Sequence, residues 1–296
     1  MDSSNGFSRT DGPPEGWAHR VSHARGMQWH QVHRAGDPRK PHLVLLHGTG
    51  ADHQSWQAIL PHWPRDWTLR VLDLPGHGAS PAPLRGTPMG VQEVGGSLAE
   101  LLLAEQSPPH ETILIGHSAG AAVGLAAMRD QPWRLIGLAP SLIVPPVLFT
   151  LALGPFAAPL LLSKPSLRML EAACRLPGVL ESIIQSTGTE LSSARKAAMA
   201  DLLLAPGHLE GALRFMSDTA LEALLRESRA AAARLDLLAA VDDPWIPYAQ
   251  VQEAVRRFLP EARLHAWPGG GHLFHEQQPQ ASAAWIEKCV RQLLAD

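Results

Sequence analysis

Residues 111–122 read ETILIGHSAGAA. Four β-favouring residues, Thr112 to Ile115, run into Gly116-His117-Ser118-Ala119-Gly120, and a small, helix-prone stretch follows. A G-x-S-x-G pentapeptide between a strand and a helix is the sequence form of a nucleophile elbow. There a serine sits on a sharp turn with its hydroxyl clear of the sheet. The neighbours must be small because backbone and helix approach too closely for larger side chains. The same residues also suit an ordinary β–α turn with a buried hydroxyl, and the pentapeptide alone does not choose.

Outward from this stretch the pattern repeats. Residues 18–34 carry a hairpin-like pattern, AHRVSHA and MQWHQVHR around Arg25-Gly26. PHLVLLHGTG (41–50) is an apolar run closed by a glycine turn, and ADHQSWQAIL (51–60) follows with helical spacing. TLRVLDLPGHGAS (68–80) is again an apolar run before a glycine-rich loop. VQEVGGSLAELLLAEQ (91–106) is helical by periodicity, with Gly95-Gly96 weakening its start. LIGLAPSL (135–142) predicts a further strand. Continuous apolar strands alternating with helices imply an α/β chain with a mostly parallel sheet covered on both faces.

The alternation stops over 143–225, which is rich in alanine and leucine and shows no strand pattern, so it reads as an inserted helical cap. It resumes with LDLLAAVDDPWIP (235–247), the helix AQVQEAVRRFL, the strand ARLHAW (262–267), the loop PGGGH and a last helix from Pro279. The expected organisation is a loose polar leader at 1–15, a core at 16–142, the cap at 143–225 and the rest of the core at 226–296.

Composition narrows the function classes. Of 296 residues 45% are hydrophobic and 18% charged, which excludes a disordered chain. The net charge of −3 comes from interspersed acids and bases, without the basic footprint of a nucleic-acid binder. Two cysteines, Cys174 and Cys289, make no disulfide framework, and the N-terminus has no signal-peptide pattern. Both point to the cytoplasm. LIVPPVLFTLALGPFAAPLLL (142–162) is long enough for a bilayer, but Pro145, Pro146, Pro155 and Pro159 interrupt it. A greasy cap or a peripheral membrane contact is the expectation there.

The chemistry expected of Ser118 needs a base, and the base needs an orienting acid. In strand-turn-helix hydrolases the order along the chain is Ser, acid, His, each at the end of a different strand. Ser118 has its elbow, Asp243 follows LDLLAAV, and His272 follows ARLHAW. From the residues alone, Asp242 competes with Asp243. The developing negative charge needs backbone donors. Ala119, just after the serine, and Thr49, in His47-Gly48-Thr49-Gly50, are expected to supply them, with Gly50 the lesser choice.

Each piece has an ordinary explanation as a turn, a helix cap or a loop histidine. Their agreement in type, order and strand-end placement makes the joint case. Fifteen histidines invite a metal reading, through His272, His275 and Glu276 or through His30 and His33. H-x-x-H-E lacks the i,i+4 histidine pair of a zinc-protease helix, so no metal is expected. Without a Walker loop or a strand-led GxGxxG, no cofactor is expected either.

LVLLHGTGADHQSW, VLDLPGHG, ILIGHSAGAA, the D-x-x-I-P turn and PGGGHLFHEQQP together resemble the α/β-hydrolase superfamily, over most of the chain outside the cap. HGTGADHQSW, GHSAGAA and APGHLEGALRFMSD (205–218) are more closely similar to the magnesium chelatase accessory proteins of bacteriochlorophyll biosynthesis (BchO type). The first resemblance implies the α/β-hydrolase fold, the triad Ser118, Asp243 and His272, and the oxyanion donors Thr49 and Ala119. It favours Asp243 over Asp242, because of the spacing to Ile246-Pro247. It disfavours dehalogenase or epoxide hydrolase chemistry, since those relatives carry aspartate where this chain has Ser118. The second implies a role near magnesium insertion into protoporphyrin IX, with magnesium chelatase as a partner.

Two departures stand out. Relatives usually read G-E-x-D at the acid loop, where this chain has Ala240-Val241-Asp242-Asp243, and Gly269-Gly270-Gly271 makes the histidine loop unusually flexible. The expected function is an esterase-like serine hydrolase acting on a hydrophobic substrate such as a tetrapyrrole or its ester. The alternatives are a general carboxylesterase and a non-catalytic porphyrin carrier. For the carrier, Lys164, Arg168, Arg175, Arg195, Lys196 and Arg214 would pair with propionates.

Overall fold

The computed structural model describes residues 15–107, 112–143, 162–217 and 219–294. Its centre is an eight-stranded sheet in the order β1-β2-β4-β3-β5-β6-β7-β8. β1 (Ala18–Ala24) and β2 (Met27–Arg34) form the expected hairpin, and β2 pairs antiparallel with β4 (Thr68–Leu72). From β4 onward all pairs are parallel, through β3 (His42–Leu46), β5 (Thr112–His117), β6 (Arg134–Leu138), β7 (Leu235–Ala240) and β8 (Arg263–Trp267).

Continuous apolar strands are buried on both faces because successive side chains point to opposite layers. On β3, Val44 and Leu46 join one core with α1 (Val91–Ala104), α2 (Ala119–Met128) and α8 (Tyr248–Phe258). Leu43 and Leu45 join the opposite core with Trp56, Trp63 and α9 (Pro279–Leu293). Each such leucine contributes about 1.5–3 kcal/mol by leaving water. Gly95 proves to be a packing position, since a Cβ there would lie 2.4 Å from the Cβ of Ala126, so α1 and α2 approach closely through it.

Residues 51–60 differ from the expected helix. They form two 3₁₀ turns, His53–Trp56 and Leu60–His62. Asp52 caps the first by accepting from the Gln54 amide, buried Trp56 pins the segment, and Pro61 has no N–H to continue a ladder.

Between β6 and β7 the described residues form helices only: α3 (Lys164–Cys174), α4 (Val179–Gln185), α5 (Ser193–Leu203), α6 (His208–Ser217) and α7 (Leu221–Glu227), then a 3₁₀ turn, Arg229–Arg234. The leader (residues 1–14) and the apolar stretch (residues 144–161) lie outside the described residues. Among the described residues no helix is long and apolar enough to cross a membrane.

Candidate active site

β5 ends at His117 and α2 begins at Ala119, leaving Ser118 alone to make the turn. Its φ is 51° and ψ −119°, a left-handed conformation that costs a non-glycine residue about 1–3 kcal/mol. The flanking glycines permit it. A Cβ on Gly116 would lie 2.4 Å from the Ala121 amide nitrogen, and one on Gly120 would lie 2.3 Å from the Leu46 carbonyl oxygen. The turn is held by the Ser118 N–H donating to the Leu138 carbonyl at 2.9 Å.

His272 lies in the loop after β8, and its backbone N–H donates to Thr187 at 2.8 Å. Its Nε2 stands 3.0 Å from Ser118 Oγ and its Nδ1 2.8 Å from Asp243 Oδ2. The carboxylate accepts from Nδ1–H, which leaves Nε2 as the acceptor for the serine hydroxyl. Asp243 Oδ1 accepts from the amides of Trp245 (2.8 Å) and Ile246 (2.9 Å), which gives the D-x-x-I-P spacing its physical meaning. Burial by itself would raise the Asp243 pKa. The hydrogen bond and charge of His272, with those two amides, outweigh it and hold the carboxyl below its ordinary value. Asp243 is therefore a carboxylate.

Asp242 does different work. It accepts from the amides of Gly270 and Gly271, both at 3.1 Å, and so restrains the glycine loop that carries His272. That loop is not loose: Gly271 has φ +65°, and a Cβ there would meet the Thr187 carbonyl at 2.5 Å. The sequence-based expectation of a flexible loop fails because the segment after α4 packs directly on it.

Two neighbours of His272 carried no signal in the sequence. His117 Nε2–H donates to the His272 carbonyl at 2.9 Å. Burial, then the neighbouring His272, push the His117 pKa down to about 3, so the ring is neutral. Trp245 stacks on the His272 ring, with centroids 5.3 Å apart and planes at 29°. Both positions are separated from His272 by long stretches of chain, so only folding reveals the contacts.

The loop after β3 passes beside the elbow, where a Cβ on Gly48 would lie 3.0 Å from the Ser118 Cβ. Thr49 follows in that loop. Ala119 is the first residue of α2, and a first helical amide has no intrahelical acceptor. Ser118, His272 and Asp243 are thus hydrogen-bonded together, with Ala119 next to the serine and the loop that carries Thr49 alongside, at the C-terminal edge of the sheet, where open α/β sheets put their sites.

The histidines suggested as metal ligands are distributed differently. His275 is fully buried beside His117 (ring centroids 4.3 Å), and neither ring nitrogen has a hydrogen-bond partner among the described residues. Glu276 pairs with Arg195 of α5. His30 associates not with His33 but with His53 and Asp73, whose ligand-type atoms lie within 4.8 Å of one another. In that group the Nδ1 atoms of His30 and His53 sit 2.9 Å from Asp73 oxygens, and the His53 and Ala79 amides also donate to the carboxylate. These are direct hydrogen-bond contacts.

Of the six basic residues considered for propionates, three are engaged. Arg195 meets Glu276, Lys196 meets Glu181 at 2.8 Å, and Arg214 donates to the carbonyls of Pro83, Leu84 and Thr87.

A parallel-sheet core with an antiparallel entry, a strained serine after β5 and a hydrogen-bonded histidine and aspartate after β8 and β7 define the α/β-hydrolase class. The chain belongs to the alpha/beta hydrolase family, whose model matches residues 43–285. Over 277 residues it is 31% identical to the magnesium-chelatase 30 kDa subunit of Rhodobacter capsulatus, covering 89% of this chain and 92% of that one. Over 264 residues it is 30% identical to the pimeloyl-[acyl-carrier protein] methyl ester esterase of Aromatoleum aromaticum, covering 85% and 99%. Its fold matches that of the esterase RhEst1 from Rhodococcus sp. with a TM-score of 0.67 at 19% identity, over 94% of this chain and 99% of that one.

Proposed function

We propose that the protein is a serine hydrolase that cleaves an ester or related acyl bond, with Ser118 as nucleophile, His272 as base and acid, and Asp243 as orienting carboxylate. The observation that carries this reading is the hydrogen-bonded chain from Ser118 Oγ to His272 (3.0 Å) and on to Asp243 (2.8 Å), ending at a serine in a strained backbone conformation. Ser118 Oγ attacks the acyl carbon as its proton passes to His272 Nε2. The oxyanion is received by the amides of Thr49 and Ala119, each donor worth about 3–4 kcal/mol to the transition state. Collapse expels the alcohol, which takes the proton from Nε2. Water then enters by the same route and releases the acid.

Helices α3 to α7 act as a cap over this edge, and the substrate is a hydrophobic ester. The likeness to a chelatase subunit favours a tetrapyrrole or its ester at the magnesium chelatase step of bacteriochlorophyll biosynthesis. The likeness to a methyl ester esterase supports the ester as the bond cut. A propionate-holding carrier gains less support, because Arg195, Lys196 and Arg214 already have partners within the chain.

The test is covalent labelling by a fluorophosphonate. The expected result is rapid modification at Ser118, lost in Ser118→Ala and in His272→Ala. A folded wild type that resists labelling, with its pocket open to small probes, would reject the hydrolase in favour of the carrier.

A further inference from the structure

The segment 205–218, conspicuous in the sequence, has no part in the chemistry above. In the structure it places His208, at the start of α6, against the loop that carries Thr49. His208 Nε2 lies 3.2 Å from the Gly50 carbonyl oxygen, and its Nδ1 lies 3.3 Å from the Gly78 amide nitrogen. A carbonyl can only accept and an amide can only donate, so the two contacts require the neutral ring with its proton on Nε2. The side chain is buried (4% exposed) and meets His77 edge to face at 5.4 Å.

From within the core, His47 Nδ1 lies 2.8 Å from the Gly48 carbonyl, while its Nε2 accepts from the Leu74 amide. The carbonyls on either side of Thr49 are therefore each held by an imidazole N–H, one from the core and one from the cap. In a trans peptide the N–H points opposite to the C=O. Anchoring the Gly48 carbonyl thus sets the direction of the Thr49 amide, and anchoring Gly50 holds the other end of the loop. Gly50 itself has φ +77°, a conformation with few alternatives for any side chain but glycine.

The base of this strut is rigid. Gly211, one turn after His208, lies so close to the 73–80 loop that a Cβ there would sit 2.0 Å from the Gly76 carbonyl oxygen. Farther along α6, Arg214 donates to the carbonyls of Pro83, Leu84 and Thr87. The helix cannot slide without losing these contacts.

We propose that His208 is a positioning residue for the oxyanion loop, a cap-borne strut that holds Thr49 and Gly50 in register with Ser118. It rests on the serine-hydrolase reading and goes beyond it by making the docked cap part of the acylation machinery. A loop displaced by about 1 Å costs on the order of 10²-fold in rate.

The experiment compares wild type with His208→Ala, His208→Gln and His208→Asn. It reads the second-order rate of fluorophosphonate labelling, kcat and KM on p-nitrophenyl esters of graded chain length, and folding by thermal melt. His208→Ala is expected to lower the labelling rate and kcat by roughly 10–100-fold with KM changed less than about twofold. Gln can place an amide N–H where Nε2 stood and restores most of the rate. Asn can offer its Oδ1 to the Gly78 amide, but its NH2 falls short of the Gly50 carbonyl, and it does not.

Equal rates in folded His208→Ala and wild type, equal behaviour of Gln and Asn, or a loss confined to KM each overturn the strut. Should His208→Ala fail to fold, the Gln and Asn pair decides by itself. A wild type that does not label rejects the serine reading and this inference together, whereas a labelled wild type matched by His208→Ala rejects the strut alone.

Discussion

Asp243 and Asp73 are both buried and both hydrogen-bonded to histidine, yet their surroundings are built differently. Asp243 meets one imidazole whose far nitrogen faces a serine hydroxyl. Asp73 meets two imidazoles and two backbone amides; the far nitrogen of His30 faces His19, another imidazole on the edge strand β1. Asp–His pairing is therefore no mark of catalysis by itself. What differs is the end of the chain of contacts: a serine in a strained turn at the carboxyl edge of the sheet, or a set of donors that ties β2, the 51–57 loop and the 73–80 loop together. On the proposed reading one pair moves a proton, whereas the other keeps loops in place.

The largest effect that would sharpen this contrast is at Asp243. Asp243→Asn should lower the labelling rate of Ser118 by about 10³–10⁴-fold, because the amide no longer fixes the tautomer of His272, while the melting temperature changes little. Asp73→Asn should do the reverse. It turns one acceptor into a donor among crowded N–H groups and should cost about 3 kcal/mol of stability by denaturant titration. The folded fraction should label within about twofold of wild type. If Asp73→Asn instead abolished labelling while folding normally, the separation of the two clusters would collapse.

Acid should distinguish the neutral histidines around the site from the carboxylates. His117 has its pKa lowered from 6.5 to about 3, first by burial, and burial also lowers those of His77 and His275. Below pH 6.5 the unfolded chain binds protons that the folded chain refuses, so stability must fall as the pH is lowered toward 3. Urea titrations at stepwise pH should show this slope, and His117→Gln, which keeps an N–H for the His272 carbonyl, should reduce it. An unchanged slope in His117→Gln would show that His117 has little part in it. The smallest effect is expected at Asp242. Asp242→Asn keeps one of the two acceptor oxygens that hold the glycine loop, at an exposed position open to water, and should change the labelling rate by no more than about twofold. A loss as large as that of Asp243→Asn would reverse the assignment of the two adjacent acids.

Much of this was legible before folding. The continuous apolar runs at 42–46, 68–72 and 112–117 could be buried only in a parallel sheet, and G-H-S-A-G could hardly be built without the close approaches that now explain Gly116 and Gly120. The failures were local and share one cause. The 51–60 segment carries helical spacing yet forms 3₁₀ turns, because His53 and Trp56 are drawn to partners outside the segment. The glycine loop at 269–271 reads as mobile, but it is held by Asp242 and by the 187–188 backbone.

The sequence by itself determined the fold class, the elbow and the order of serine, acid and histidine, because periodicity, small residues and chain order are local or one-dimensional properties. Only the tertiary structure decided that Asp242 holds the glycine loop, that His117 and Trp245 support the His272 ring, and that a histidine from the helical insertion reaches the loop beside Ser118. Those are questions of distance and direction between residues far apart in the chain. A hydrogen bond acts over about 3 Å, so they have no answer until the chain has folded.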